Sequence, residues 1–274
     1  MSKISKVWAV YFTGTGNTKK MVTAVAKAAC EKLGCEYAEH DFSLPTVRVQ
    51  EISFVDTDLV VVGTPVYAGR VPNVLLPYLT QNIKGNGALA VPVVTYGNRN
   101  FDDGLMELRN IMTANGMTAI GGGAFVGEHS FSTTLGAGRP NADDLAMARE
   151  LGEKVAEKAL SGAVEGPVAV EGEDPIRPYY TPRDRNANPI NILKVKPKTD
   201  PDKCINCGLC ARICTMGSID PQDVTSVTGI CIKCCACVKR CPKGAKYYDD
   251  EGYLYHQHEL EDVYARPAES KIFL

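Results

Sequence analysis

The sequence predicts a doubly wound parallel α/β domain followed by a small domain held together by cysteine ligation. Three observations point there. Strand-length apolar runs alternate with amphipathic helical patterns over residues 1–161. A Gly- and Thr-rich turn, Thr13 to Thr18, separates the first run from the first helix, and nine of the eleven cysteines fall between Cys204 and Cys241. A length of 274 residues suits two domains. Hydrophobic residues at 45% and charged residues at 23% give a globular composition. Thirty basic residues against 32 acidic ones leave a net charge of −2, so no nucleic-acid surface is expected. No apolar run approaches the roughly 18 residues of a membrane span. The amino terminus shows no secretory pattern, and the expected location is cytoplasmic. Crowded cysteines in such a compartment read as metal or cluster ligands, not disulfides.

The elements follow in order. Val7 to Phe12 is the first strand. The next helix places Met21, Val22, Val25, Ala26, Ala29 and Leu33 on one face, and Gly34 stops it. Residues 44–58 lack a clean helical period, so the second helix is short or missing. Leu59–Val62, Ala88–Val94 and Thr118–Val126 are buried strands, with helices at Asn73–Ile83, Asp102–Asn115 and Ala142–Leu160. That alternation gives a parallel sheet covered on both faces, and the first domain takes residues 1–164. Residues 165–201 hold seven of the sixteen prolines and form a linker or strap. Tyr179, Tyr180, Ile190, Ile192 and Leu193 favour the strap. Residues 202–248 are the cysteine domain. Residues 249–274 are an acidic tail, with six acids and no Lys or Arg from Asp249 to Asp262, in which His256 and His258 are expected at the surface.

The cysteine domain is an internal repeat. Cys204, Cys207, Cys210 and Cys214 recur 27 positions later as Cys231, Cys234, Cys237 and Cys241. Each run reads C-x2-C-x2-C-x3-C, and the second ends in Cys241-Pro242. Two-residue gaps let one loop offer three thiolates to three corners of an iron–sulfur cube, while the fourth cysteine lies past a turn. In two-cluster ferredoxins that fourth cysteine ligates the other cluster. One [4Fe–4S] cluster is thereby assigned to Cys204, Cys207, Cys210 and Cys241, and the second to Cys231, Cys234, Cys237 and Cys214. Four thiolates also suit tetrahedral zinc, but two complete runs favour clusters. The region resembles the bacterial-type two-[4Fe–4S] ferredoxins throughout, with Thr215 standing where those proteins usually have proline. Cys30, Cys35 and Cys235 read as small buried hydrophobes.

Thr13, Gly14, Thr15, Gly16, Asn17 and Thr18 follow a strand and open a helix, where backbone N–H groups and the helix dipole can hold a phosphate. Lys19 replaces the third glycine of a dinucleotide fingerprint, and no P-loop pattern is present. This T-G-T-G-N-T turn resembles the FMN-phosphate loop of flavodoxins. The resemblance implies a sheet of order 2-1-3-4-5 and two further FMN loops after the third and fourth strands. Thr64, Pro65, Val66, Tyr67, Gly69 and Arg70 make up one; Tyr96, Gly97, Asn98, Arg99 and Phe101 make up the other. By similarity Tyr67 stacks on the flavin, Tyr96 or Phe101 covers its other face, and Gly97 and Asn98 offer backbone groups to its pyrimidine edge. Glu128 to Ser132 receives no role.

The whole chain resembles the flavodoxin–ferredoxin fusion proteins of anaerobes. Electron transfer among two [4Fe–4S] clusters, FMN and a protein redox partner is the function this implies. The alternative is an FMN-dependent reductase of a small-molecule acceptor. Arg70 and Arg99 on the ring loops are expected to raise the flavin potential and so draw electrons from clusters to FMN.

Overall fold

The computed structural model describes residues 4–162 and 164–274. In chain order the elements are β1 (Lys6–Tyr11), α1 (Asn17–Leu33), β2 (Glu36–Asp41), β3 (Ile52–Ser53), β4 (Asp58–Pro65), α2 (Leu76–Gln81), β5 (Ile83–Lys84), β6 (Leu89–Tyr96), α3 (Gly104–Ala114), β7 (Thr118–Ala119), β8 (Gly122–Val126), α4 (Ala142–Ser161), β9 (Lys198–Thr199), α5 (Leu209–Arg212), α6 (Ala236–Lys239), β10 (Lys246–Tyr247), α7 (Glu251–Val263) and β11 (Lys271–Phe273). The main sheet runs β2-β1-β4-β6-β8, all parallel, and antiparallel β11 closes the edge beside β8. Counting the long parallel strands alone, this is the doubly wound order 2-1-3-4-5.

Burial follows from the strands' composition. β4 and β6 are covered on both faces and almost wholly apolar. Val60 and Val62 point into one core with Phe42, Phe54, Leu75 and Leu105. Leu59 and Val61 point into the other, against Val22 and Val25 of α1 and Leu151 and Val155 of α4. Gly34 ends α1 in the left-handed region at φ 61°, its N–H returned to the Cys30 carbonyl. At the start of α4, Asn141 and Asp144 each accept the other's backbone N–H. No helix forms between β2 and β4 among the described residues. β2 itself, Glu-Tyr-Ala-Glu-His-Asp, is a polar edge strand that apolar patterning does not reveal.

Residues 164–201 lie along the α/β domain as a strap. Val168 N–H donates to the Ala119 carbonyl at 2.8 Å, Tyr179 Oη to the Val71 carbonyl at 2.8 Å, and Tyr180 N–H to the Ala68 carbonyl at 2.9 Å. Buried Asp103 accepts the N–H groups of Glu173 and Arg177 as well as the Arg177 guanidinium. The cysteine domain follows, with β9 paired to β10, and the chain then returns through α7 to the sheet. Residues 249–274 are thus a helix and a strand, not a free tail. Tyr96 Oη donates to the Glu269 carbonyl at 2.6 Å, and Asn98 holds Tyr264, Arg266 and Ala268 through three hydrogen bonds. No described helix is long and apolar enough to cross a membrane.

Candidate functional site

The loop after β1 is built to receive an anion. Thr13 Oγ1 accepts the Gly16 N–H at 3.0 Å, and Thr13 N–H donates to Ser43 Oγ at 2.9 Å. Gly16 caps α1 without a side-chain acceptor, and no acid lies in the first turn. The leading N–H groups of a seventeen-residue helix are therefore left to a ligand, at the positive end of its dipole.

That loop forms one end of a cavity of about 790 Å³, within the usual range of small-molecule sites. Of the flavin-loop residues, Thr13, Gly14, Thr15, Asn17, Thr18, Pro65, Val66, Tyr67, Gly69, Tyr96, Gly97 and Arg99 line it. Gly16, Thr64, Arg70, Asn98 and Phe101 do not. Thr64 is fully buried within β4. Phe101 packs in the core against Tyr96 at 5.5 Å and Phe273 at 6.5 Å, so it offers no face to a ring in the cavity. The Asn98 side chain is occupied by the returning C-terminal segment. A phosphate-binding end, two tyrosines on the walls and this volume fit a flavin mononucleotide.

The expected positive field at the ring loops is absent. Arg70 pairs with buried Glu107 at 2.5 Å and lies over the Tyr179 ring, and Arg99 pairs with Asp102 beneath Tyr180. Each guanidinium is neutralised by its own carboxylate, so the arginines give no argument for a raised flavin potential. The left-handed residues Ala68, Asn98 and Asp102 all sit in these two loops, the kind of local strain that collects at functional sites.

Three segments roof the cavity: strap residues 179–182 and 189–193, residues 230–233 of the cysteine domain, and His256 and Leu260 of α7. The Glu128–Ser132 loop enters here. His129 Nδ1 accepts the Phe131 N–H at 3.1 Å, which leaves the proton on Nε2. Burial, then the nearby His256 and Lys239, push the His129 pKa down to about 4. His256 is buried, not at the surface: it is 6% exposed, stacked on Tyr180 and edge-on to Phe131. Burial lowers its pKa as well. His258 is exposed. The two imidazoles escape a sequence reading because α7 is joined to β8 only through the tertiary fold.

The cysteines of the two runs neighbour one another in the small domain. Cys204, Cys207, Cys210 and Cys241 line one concavity beside Ile213, Val224 and Lys246, with Cys237 on its wall and Cys207 exposed. Backbone N–H groups of Lys243, Ala245, Lys246 and Gly244 outweigh burial and hold the Cys241 thiol below its ordinary pKa. Cys214 neighbours Cys234 of the second run and also packs with Cys204 and Cys210 of its own run against the Ile219, Val224 and Cys237 cluster. Burial raises the Cys234 thiol, the Thr215 hydroxyl 3.3 Å away opposes this, and Cys231 and Cys214 add to the rise. Thr215 thus sets a hydroxyl 3.3 Å from the Cys234 sulfur, which proline could not. Cys235 is 2% exposed, and burial pushes its thiol up to about 12, as a small buried hydrophobe requires.

The second run touches the phosphate loop. A Cβ on Gly14 would lie 3.0 Å from Cys234 Cβ and 3.1 Å from the Cys234 carbonyl, so a side chain there would press the two segments apart by a few tenths of an ångström. Arg48 donates to the Thr215 carbonyl at 2.6 Å, and Lys239 pairs with Glu128 at 2.5 Å, locking the cysteine domain onto the α/β domain.

A family model described as a 4Fe-4S binding domain matches residues 196–219. The chain fits a flavodoxin–ferredoxin fusion. Among similar solved structures is a flavodoxin from the domain Archaea, 18% identical, covering 57% of this chain and 99% of that one with a TM-score of 0.43. A rubredoxin oxygen:oxidoreductase from the anaerobe Desulfovibrio gigas is 16% identical, with 58% and 37% covered and a TM-score of 0.41. A flavone reductase is 12% identical, with 61% and 66% covered and a TM-score of 0.43. No curated protein matches the chain. The fold assignment rests on the strand order, not on these scores.

Proposed function

We propose that the chain carries one FMN in the cavity and two [4Fe–4S] clusters, and that electrons pass between clusters and flavin within one chain. One cluster is held by Cys204, Cys207, Cys210 and Cys241, the other by Cys231, Cys234, Cys237 and Cys214. The observation that carries this reading is the contact of Cys234 with Gly14. It makes the second cluster the neighbour of the flavin and leaves the first, beside exposed Cys207, to meet a protein redox partner. Each cluster passes one electron and FMN holds one or two, so the chemistry is the cofactors' and the protein supplies distance and environment. Flow from clusters to FMN is supported by the low potentials usual for bacterial-type clusters, with no contribution from Arg70 or Arg99.

Anaerobic purification with quantified iron, labile sulfide and flavin tests the composition. Eight irons, eight sulfides and one FMN per chain are expected. Two zinc ions without sulfide would overturn it. A second reading, an FMN-dependent reductase of a small molecule, is favoured by the roof over the cavity, since a simple carrier leaves a flavin edge open.

A further inference from the structure

The roofed cavity is larger than its flavin. FMN packed at the density of a protein interior fills on the order of 450 Å³. The cavity's volume of about 790 Å³ exceeds this, so space remains beside a bound flavin. The walls beyond the flavin loops belong to the strap and α7, among them Tyr180, Pro182, Ile190, Ile192 and Leu260. These surfaces are apolar and aromatic.

The charged groups facing this space are already engaged. Arg99 is paired with Asp102, and Glu128 with Lys239. Lys233 turns its ammonium onto the carbonyls of Leu193 at 3.1 Å and Cys231 at 2.9 Å. Two neutral imidazoles also line this space, beside polar side chains such as Thr181 and Asn191. His129 has its Nδ1 satisfied, and its Nε2–H has no partner among the described residues. His256, more than nine-tenths buried, lines the cavity, and neither of its ring nitrogens has a hydrogen-bond partner among the described residues. Phe131 packs edge-on against both rings, 5.2 Å from His129 and 6.2 Å from His256, and all three line the same cavity. Unused donors on an apolar wall are costly unless a ligand takes them. A neutral imidazole is suited to polarising a carbonyl oxygen.

We propose that this compartment binds a neutral, carbonyl-bearing compound, with His129 and His256 as the donors available to its oxygens and the apolar strap side chains against its body. This deepens the reductase reading by naming the class of compound, and it rests on FMN occupying the phosphate-loop end of the same cavity. Among the lining residues the one cation without a carboxylate partner, Lys233, is already held by two carbonyls, and no carboxylate is left without a cation.

Calorimetric titration of the FMN-loaded full chain with coumarin, beside coumarin-3-carboxylate, tests the proposal. Coumarin is expected to bind and to perturb the flavin absorption band, with the carboxylate at least tenfold weaker. His256→Phe keeps the stack on Tyr180 but removes the donor, and should weaken coumarin about three- to tenfold. His256→Gln, which retains an N–H donor, should restore most of it. Should His256→Phe fail to fold, His129→Leu serves as the second donor-deleting variant. No coumarin binding, equal binding of the anion, or no loss in the donor-deleted variants would overturn the proposal. Flavin content measured on the same samples reports separately on whether FMN occupies the cavity.

Discussion

Single residues carry the electrostatic and ligation claims. Cys214 belongs to the first cysteine run but also neighbours Cys234 of the second, and the proposed ligation crosses the two runs. Cys214→Ser should therefore damage mainly the cluster held by Cys231, Cys234 and Cys237, read as loss of one cluster's signal in low-temperature EPR with the other retained. Loss confined to the Cys204–Cys210 cluster would refute the crossed ligation. Arg70 matters for stability instead of potential. Its partner Glu107 is 5% exposed and also accepts the Val71 N–H at 2.9 Å. Arg70→Met leaves that carboxylate buried and unpaired, and should cost about 3 kcal/mol in a denaturant titration. Arg70→Met with Glu107→Gln should recover most of it. Arg99→Gln, by contrast, should move the flavin potential by less than about 20 mV, a third of the 59 mV that a tenfold change represents for one electron.

At the scale of elements, the strap is the part most open to test. Asp103 is held down at about 2, chiefly by the Arg177 guanidinium and further by the N–H groups of Glu173 and Arg177. A depressed carboxylate pKa stabilises the fold above its unfolded value near 4, and that stability is lost as pH falls through the folded value near 2. Because Arg177 is half exposed, the contribution should be about 1–2 kcal/mol after screening. Thermal unfolding of the wild type should show this loss between about pH 4 and pH 2, and Arg177→Met should abolish it. An unchanged acid slope in the variant would show that Asp103 does not anchor the strap.

The elements also show how much the sequence discloses. Strands β4, β6 and β8, buried on both faces, are continuous apolar runs, so their positions were legible. β2 was not: it lies at the sheet edge, where Glu36, Glu39 and Asp41 face solvent and the apolar signal vanishes. The phosphate loop and both cysteine runs could be read because backbone geometry and ligand spacing tie them to their neighbours in sequence. The roof of the cavity could not, because Tyr180, Ile232 and His256 come from three separate segments. Phe101 was misplaced for a related reason. Its loop reaches the cavity at Arg99 and Asn100, but the left-handed turn at Asp102 and the returning β11 draw its ring into the core.

The whole molecule is a closed circuit of chain. The α/β domain leads into the strap, the strap into the cysteine domain, and α7 and β11 bring the chain back to the sheet. The cysteine domain is thus tied at both ends, and its own apolar core is small: Ile219, Val224 and Cys237 with a few partly buried neighbours. Removing the clusters with an iron chelator should unfold residues 202–248 while the α/β domain keeps its structure, because cluster binding is folding energy in so small a unit. Hydrogen exchange would resolve the two parts. The circuit fixes the second cysteine run against the phosphate-loop cavity through Gly14, Arg48 and Lys239, and the proposed transfer within one chain depends on that contact. The most direct measurement is stopped-flow reduction of the anaerobic holoprotein with less than one equivalent of reductant, repeated across a tenfold range of protein concentration. The account predicts a first-order phase in which the clusters reoxidise as the flavin is reduced, at a rate independent of concentration. A rate that rises in proportion to protein concentration, or clusters that stay reduced beside an oxidised flavin, would contradict it.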